Sequence, residues 1–142
     1  MNPTIEKFGY PATLIKEYEH WVVLLRPAQV TLGSLVLAAK SDATAYGGLP
    51  SAAFAEQGLA VETIETTLRR FVEYERINYL MLMMVDPNVH FNVIPRYSEP
   101  RKFGGMAFPD AGWPGPPSLG TAVAPVSEKL TELVAEITSL FR

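Results

Sequence analysis

The stretch "NVHFNVIPRY", residues 88–97, sets one histidine between two asparagines at alternate positions. In an extended strand side chains alternate between faces, so Asn88, His90 and Asn92 are expected on one face, each about 6–7 Å from the next. Val89, Phe91 and Val93 then point to the other face, toward a packed layer. A neutral imidazole can attack a phosphoryl centre through one nitrogen while the other donates to a carbonyl that fixes the tautomer. Flanking amides can donate to non-bridging phosphate oxygens without adding charge. By spacing alone, the same pattern also describes a polar edge strand of no chemical consequence.

The rest of the chain supplies the elements that must position these groups. "ATLIKEYEHWVVLLRP" (12–27) is rich in β-branched, aromatic and aliphatic residues, and reads as two short strands meeting near Glu19-His20 and stopped by Pro27. "GSLVLAAK" (33–40) is a third strand, an apolar run bounded by Gly33 and a polar turn. From about Ser51 to Glu75 the period changes: Val61, Ile64, Leu68, Phe71 and Val72 recur at helical spacing, with Glu62, Glu65, Arg69, Arg70 and Glu73 opposite. This predicts an amphipathic helix lying across a sheet, with Gly58 weakening its first turns. "INYLMLMMV" (77–85), including Met81, Met83 and Met84, is expected as a core strand forming a hairpin with the opening stretch across Asp86-Pro87-Asn88.

Six of the 12 prolines lie from Pro100 to Pro125, which predicts a long loop over 98–125. Phe103, Met106, Phe108 and Trp113 favour an ordered loop. Val126, Leu130, Leu133, Val134, Ile137 and Phe141 then form the stripe of a C-terminal helix at about 126–141. The order predicts a single α+β domain over 1–142, an antiparallel sheet of about five strands with one helix across it and a C-terminal helix.

Composition removes several function classes. With 142 residues, 48% hydrophobic and 19% charged, the chain can bury a core without crosslinks. A net charge of −3 argues against non-specific binding of nucleic acid or an anionic membrane. The absence of cysteine excludes disulfides, thiolate metal sites and cysteine nucleophiles, and two histidines cannot form an all-histidine metal site. "MNPTIEKFGY" lacks the pattern of a secretory signal and no apolar run could span a bilayer, so a cytoplasmic protein is expected.

Asn88-Val89-His90-Phe91-Asn92-Val93-Ile94-Pro95-Arg96 resembles the signature of the histidine triad (HIT) superfamily of nucleotide hydrolases and transferases, His-x-His-x-His followed by two apolar residues and Pro-Arg. The central histidine, the alternation and the exit match, whereas asparagine replaces the first and third histidines. The resemblance extends over most of residues 12–97, through "YEHWVVLLRPAQVTLGSLVLAAK" and the order of helix and hairpin, and loosely to Trp113-Pro114-Gly115. It implies that His90 is the nucleophile at the α-phosphate and that Asn88 and Asn92 take the phosphate-binding positions. An amide keeps the hydrogen bonding but cannot titrate, so no proton is available from it for a poor leaving group. The hexose-1-phosphate uridylyltransferases of the same superfamily have glutamine at the third position. Many HIT hydrolases carry a glycine-rich phosphate-binding stretch before the motif, where this chain has only "MMVDP".

The resemblance further implies a nucleotide substrate with a purine base, a homodimer, and neither cofactor nor metal. It aligns Arg26 and Gln29 with the ribose- and base-contacting edge, against the alternative of a surface arginine and a turn glutamine. Arg96 either steers an anionic substrate or pairs with an acidic neighbour. Arg101 and Lys102 either reach phosphate or are simply solvated, His20 reads as structural, and Trp113 as a loop anchor or a cover for a pocket or dimer seam. Two functional readings result: a nucleotide hydrolase or nucleotidyl transferase acting through His90, or a nucleotide-binding module that has lost catalysis. A purely structural role is the third.

Overall fold

A computed structural model describes all 142 residues. Five strands form one antiparallel sheet: β1 (Leu14–Glu17), β2 (Trp21–Leu25), β3 (Leu35–Ala39), β4 (Arg76–Leu80) and β5 (His90–Arg96), in the order β1-β2-β3-β5-β4. This is the α+β architecture expected from the sequence. No helix is long and apolar enough to cross a membrane.

The two faces of the sheet follow from the period of two. Trp21, Val23, Leu25, Leu35, Leu37, Ala39 and Val93 face a core roofed by helix α2 (Ser51–Val72) and helix α3 (Ser127–Leu140). Ala60, Ile64, Leu68 and Val72 supply the buried stripe of α2, and Leu133 and Ile137 that of α3. Each such aliphatic side chain contributes about 1.5–3 kcal/mol on full burial. The Trp21 indole N–H donates to the Ala53 carbonyl at 2.7 Å, tying β2 to α2. α2 runs unbroken through Gly58, because its packed face carries the helix past one weak residue. Gly33 is required where it stands: its φ is +91°, and a Cβ there would lie 3.2 Å from Leu68 Cδ2.

On the opposite face Val22, Leu24, Val36 and Ala38 pack against a short N-terminal helix, α1 (Pro3–Lys7), through Ile5 and Phe8. Asn2 caps α1 by accepting from the Ile5 N–H at 3.0 Å, and its amide donates to the carbonyls of Ala39 and Ser41 at 2.9 Å each. One buried asparagine thus both starts the helix and bolts it to the end of β3.

Three expectations require correction. The strand expected over 77–85 ends at Leu80; residues 81–89 form an irregular connection in which Leu82, Met84 and Val85 are exposed, so Met84 does not belong to a core strand. The hairpin pairing of β4 with β5 does form. The loop over 98–125 contains a small hairpin, β6 (Arg101–Phe103) and β7 (Met106–Phe108). Arg101 is held, not merely solvated: it donates to the carbonyls of Val72 and Glu73 at 2.7 and 3.0 Å, at the carbonyl end of α2, and lies over the Tyr97 ring.

Two buried interactions tie this loop to the end of β5. The Arg96 and Asp110 side chains, 5% and 1% exposed, pair at 2.7 Å. The Tyr97 hydroxyl accepts from the Leu32 N–H and donates to the Phe108 carbonyl, both at 2.8 Å. Arg96→Met is expected to destabilise the fold by about 3–5 kcal/mol, since Asp110 is left as an uncompensated buried charge. Asp110→Leu added to it should recover much of the loss; denaturant unfolding of both variants checks this. Tyr97→Phe should cost about 1–3 kcal/mol by orphaning two buried main-chain groups. Burial pushes the Tyr97 phenol up to about 12. Its extra stability is therefore complete below the ordinary tyrosine range and lost as pH rises through 12, a part of the alkaline decline that Tyr97→Phe should remove.

Candidate functional site

β5 begins at His90; Asn88 and Val89 form a bend before it. The expected display of three side chains on one face therefore holds for His90 and Asn92 but not for Asn88. The Asn88 side chain turns inward, its Oδ1 accepting from the Thr4 hydroxyl at 3.0 Å and the Thr4 N–H at 3.4 Å. Its amide donates to the Asp42 carbonyl at 3.0 Å, and its own main-chain N–H donates to Thr4 Oγ1 at 3.1 Å. With both ends of the amide spoken for, Asn88 locks the bend to α1 and to the loop after β3.

What that lock presents is a carbonyl. His90 Nδ1 lies 2.8 Å from the main-chain oxygen of Asn88. A carbonyl has no proton to give, so Nδ1 carries the hydrogen and Nε2 of the neutral ring keeps its lone pair. His90 is 2% exposed and packs against Phe8, the ring centroids 5.6 Å apart. Its cross-strand partner on β3 is Ala38, whose single methyl crowds the ring little.

Above the ring is a cavity of about 270 Å³ whose polar lining is His90, Asn92, Arg26 and Asp86. Arg26 Nε donates to Asn92 Oδ1 at 3.0 Å and Nη1 donates to the Ala28 carbonyl at 2.6 Å. Since a guanidinium only donates, the oxygen of Asn92 must face Arg26, leaving the Asn92 NH2 free of protein partners. Burial pulls the Arg26 pKa below its ordinary value, and the Asp86 charge opposes that. The cavity thus offers one lone-pair nitrogen, one amide donor and one guanidinium edge, a set suited to an oxyanion next to a nucleophile. Phe8, Leu82, Met84, Val85 and Leu119 complete its wall with apolar surface.

Of the six residues singled out from the sequence, His90, Asn92 and Arg26 meet here, and Asn88, Gln29 and Arg96 do not line the cavity. Gln29 is 1% exposed. Its amide donates to the carbonyls of Arg26 and Ser34 and accepts from the N–H groups of Gly33 and Ser34. It shapes the turn that carries Arg26. Arg96 is six residues along β5 from His90, roughly 20 Å at strand rise. Besides Asp110 it donates to Asn78 Oδ1 and the Gly115 carbonyl at 2.8 Å each. It borders a separate cavity of about 520 Å³ with Arg76, Asn78 and half-buried Trp113. That space is larger, and it is lined by Glu75 but by no histidine.

Sequence reasoning did not reach Phe8, Asp86, Leu119 and Thr4. The first and last were recoverable, since Asn2-Pro3 followed by Glu6 is a helix-start pattern that would have placed α1. His20 lies elsewhere, at the β1–β2 turn, where ligand atoms of Glu19, His20 and Glu56 come within 4.8 Å of one another. The chemistry of this set suits a divalent cation, although one Glu56 oxygen already accepts from the His20 N–H and Glu19 is 84% exposed.

No protein-family model and no curated protein matches the sequence. Solved structures do match. A histidine triad protein from Bradyrhizobium japonicum superposes with a TM-score of 0.75 at 15% identity, covering 100% of this chain and 97% of that one. A histidine triad protein from Sinorhizobium meliloti gives 0.73 at 20% identity, covering 98% and 94%. A hypothetical histidine triad nucleotide-binding protein from Sulfolobus tokodaii gives 0.69 at 17% identity, covering 97% and 89%. At these identities the likeness establishes architecture, and the architecture of this chain is the histidine triad fold.

Proposed function

We propose that this chain binds a nucleotide in the His90 cavity and cleaves or transfers its α-phosphoryl group through His90. The observation that carries the reading is the buried imidazole whose Nδ1 is committed to the Asn88 carbonyl, so that Nε2 is the one lone-pair nitrogen facing the cavity. The likeness to a structure described as nucleotide-binding supports the ligand class. A purine base and a homodimeric assembly belong to the same proposal, on the resemblance of the motif.

In the first step Nε2 attacks phosphorus, the bond to the leaving group breaks, and the leaving group departs with the electron pair. The Asn92 NH2 and Arg26 stabilise the charge that gathers on the non-bridging oxygens. The Asn88 carbonyl holds the imidazolium proton on Nδ1 throughout. Water or another acceptor then displaces the imidazole and regenerates it. Neither asparagine can protonate a leaving group, so substrates whose leaving group needs no proton are favoured.

A second reading is a nucleotide-binding module without turnover. It is favoured by Leu82, Met84 and Val85, which put apolar surface at the cavity where a phosphate-binding loop would put donors, and by the two Arg26 donors already spent on Asn92 and Ala28.

Incubation with dinucleoside polyphosphates or adenylyl phosphoramidates should release nucleoside monophosphate, and His90→Ala should reduce release to background. Equal turnover by the alanine variant refutes the mechanism. The binding module instead predicts a raised Tm, corresponding to about 2.7 kcal/mol at ligand concentrations of about 100 Kd, with no adduct on His90 in intact-mass measurements.

A further inference from the structure

We propose that Asp86 is the general base that activates the resolving water, a role for which the motif itself has no titratable group. The inference rests on the function proposed above and extends it. Of the residues lining the cavity, His90 is engaged as nucleophile, Arg26 is permanently charged, Asn92 is an amide and five others are apolar. Asp86 is the one remaining side chain there that can accept a proton.

Its placement suits the task. The carboxylate is half-buried and is held at one oxygen, Oδ1, by the Lys7 ammonium 2.5 Å away, at the end of α1. That ion pair lacks hydrogen-bond geometry, and Oδ1 is otherwise shielded without a partner. Oδ2 accepts no hydrogen bond within the chain. Asp86 also precedes Pro87 and Asn88, whose carbonyl fixes the His90 tautomer. Base and nucleophile are thus set by one short corner, which α1 grips twice, through Lys7 on Asp86 and Thr4 on Asn88.

In the second step a water oxygen attacks phosphorus while the carboxylate of Asp86 takes one of the water's protons. The phosphorus–Nε2 bond breaks and its electron pair returns to Nε2, restoring neutral His90. Nucleoside monophosphate leaves, and the carboxyl group passes its proton to solvent.

A p-nitrophenyl ester of adenosine 5′-monophosphate tests this, because its leaving group needs no proton and only the second step should feel the base. With Asp86→Asn, a burst of about one equivalent of p-nitrophenolate is expected, followed by turnover slowed roughly 10²–10⁴-fold, the usual span for general base catalysis. Intact mass should show the variant accumulating one adenylyl group, and hydroxylamine, a nucleophile that needs little help from a base, should restore much of the lost rate. A structural role would not give a burst with an adduct. Unchanged turnover in Asp86→Asn, or loss of burst and turnover together in a variant with an unchanged Tm, overturns the assignment. If the protein itself gives neither product nor adduct, the reading of His90 fails, and this one falls with it.

Discussion

Everything at the candidate site depends on one hydrogen bond, from His90 Nδ1 to the carbonyl of Asn88 at 2.8 Å. It selects the tautomer, and the tautomer decides whether a nucleophilic lone pair faces the cavity. The carbonyl can do this only if it stays in place, in a bend that Val89 ties to Ala39 and Ala43 by main-chain hydrogen bonds of 3.0 and 3.1 Å. The Asn88 side chain adds a second restraint by bonding to Thr4 and Asp42. Thr4 is in turn fixed because Asn2 caps α1 and ties it to the end of β3. The orientation of one imidazole thus passes through a chain of buried asparagine amides to the N-terminal helix and the sheet.

This changes the meaning of the asparagine at position 88. Viewed as a lost histidine it is a deficit, since it cannot titrate. In the fold it satisfies donor and acceptor at once, which an imidazole in a single tautomer can do along only two directions. Asn92 is different. It stays on the cavity face with its oxygen on Arg26 and its NH2 unpartnered. The two positions look equivalent in the motif, but one builds the site and the other presents a donor to it.

The strands, the long helix and the pairing of β4 with β5 were legible because each is a periodic pattern and each buries its apolar period in one layer. The central histidine and Arg26 were legible as well, being chemistry-bearing residues in a recognisable frame. What escaped depends on breaks in period. The sequence from Ile77 to Val85 is almost wholly apolar, and composition does not reveal that the strand stops at Leu80 and exposes Met84 and Val85. Asn88 was assigned to the strand because alternation extends naturally one step too far. Gln29 and Arg96 have the chemistry of ligand contacts, and only the three-dimensional positions of Ser34 and Asp110 reveal that their donors bind the protein itself.

The Pro-Arg exit of the motif then has a physical explanation separate from substrate. Arg96 ends β5, and its guanidinium makes four hydrogen bonds, to Asp110, Asn78 and the Gly115 carbonyl. A buried pair of this kind adds less stability than its Coulomb attraction suggests, because both charges must be desolvated. What it does supply is geometric definition, since a planar fork accepts few arrangements of its acceptors. It fastens the proline-rich segment around Trp113 to one end of β5, while the Asn88 lock fastens α1 to the other. The seven residues between are held at both ends, and His90 is the first of them. A strand restrained in this way has little freedom to slide in register, which would carry His90 and Asn92 together to the wrong face of the sheet.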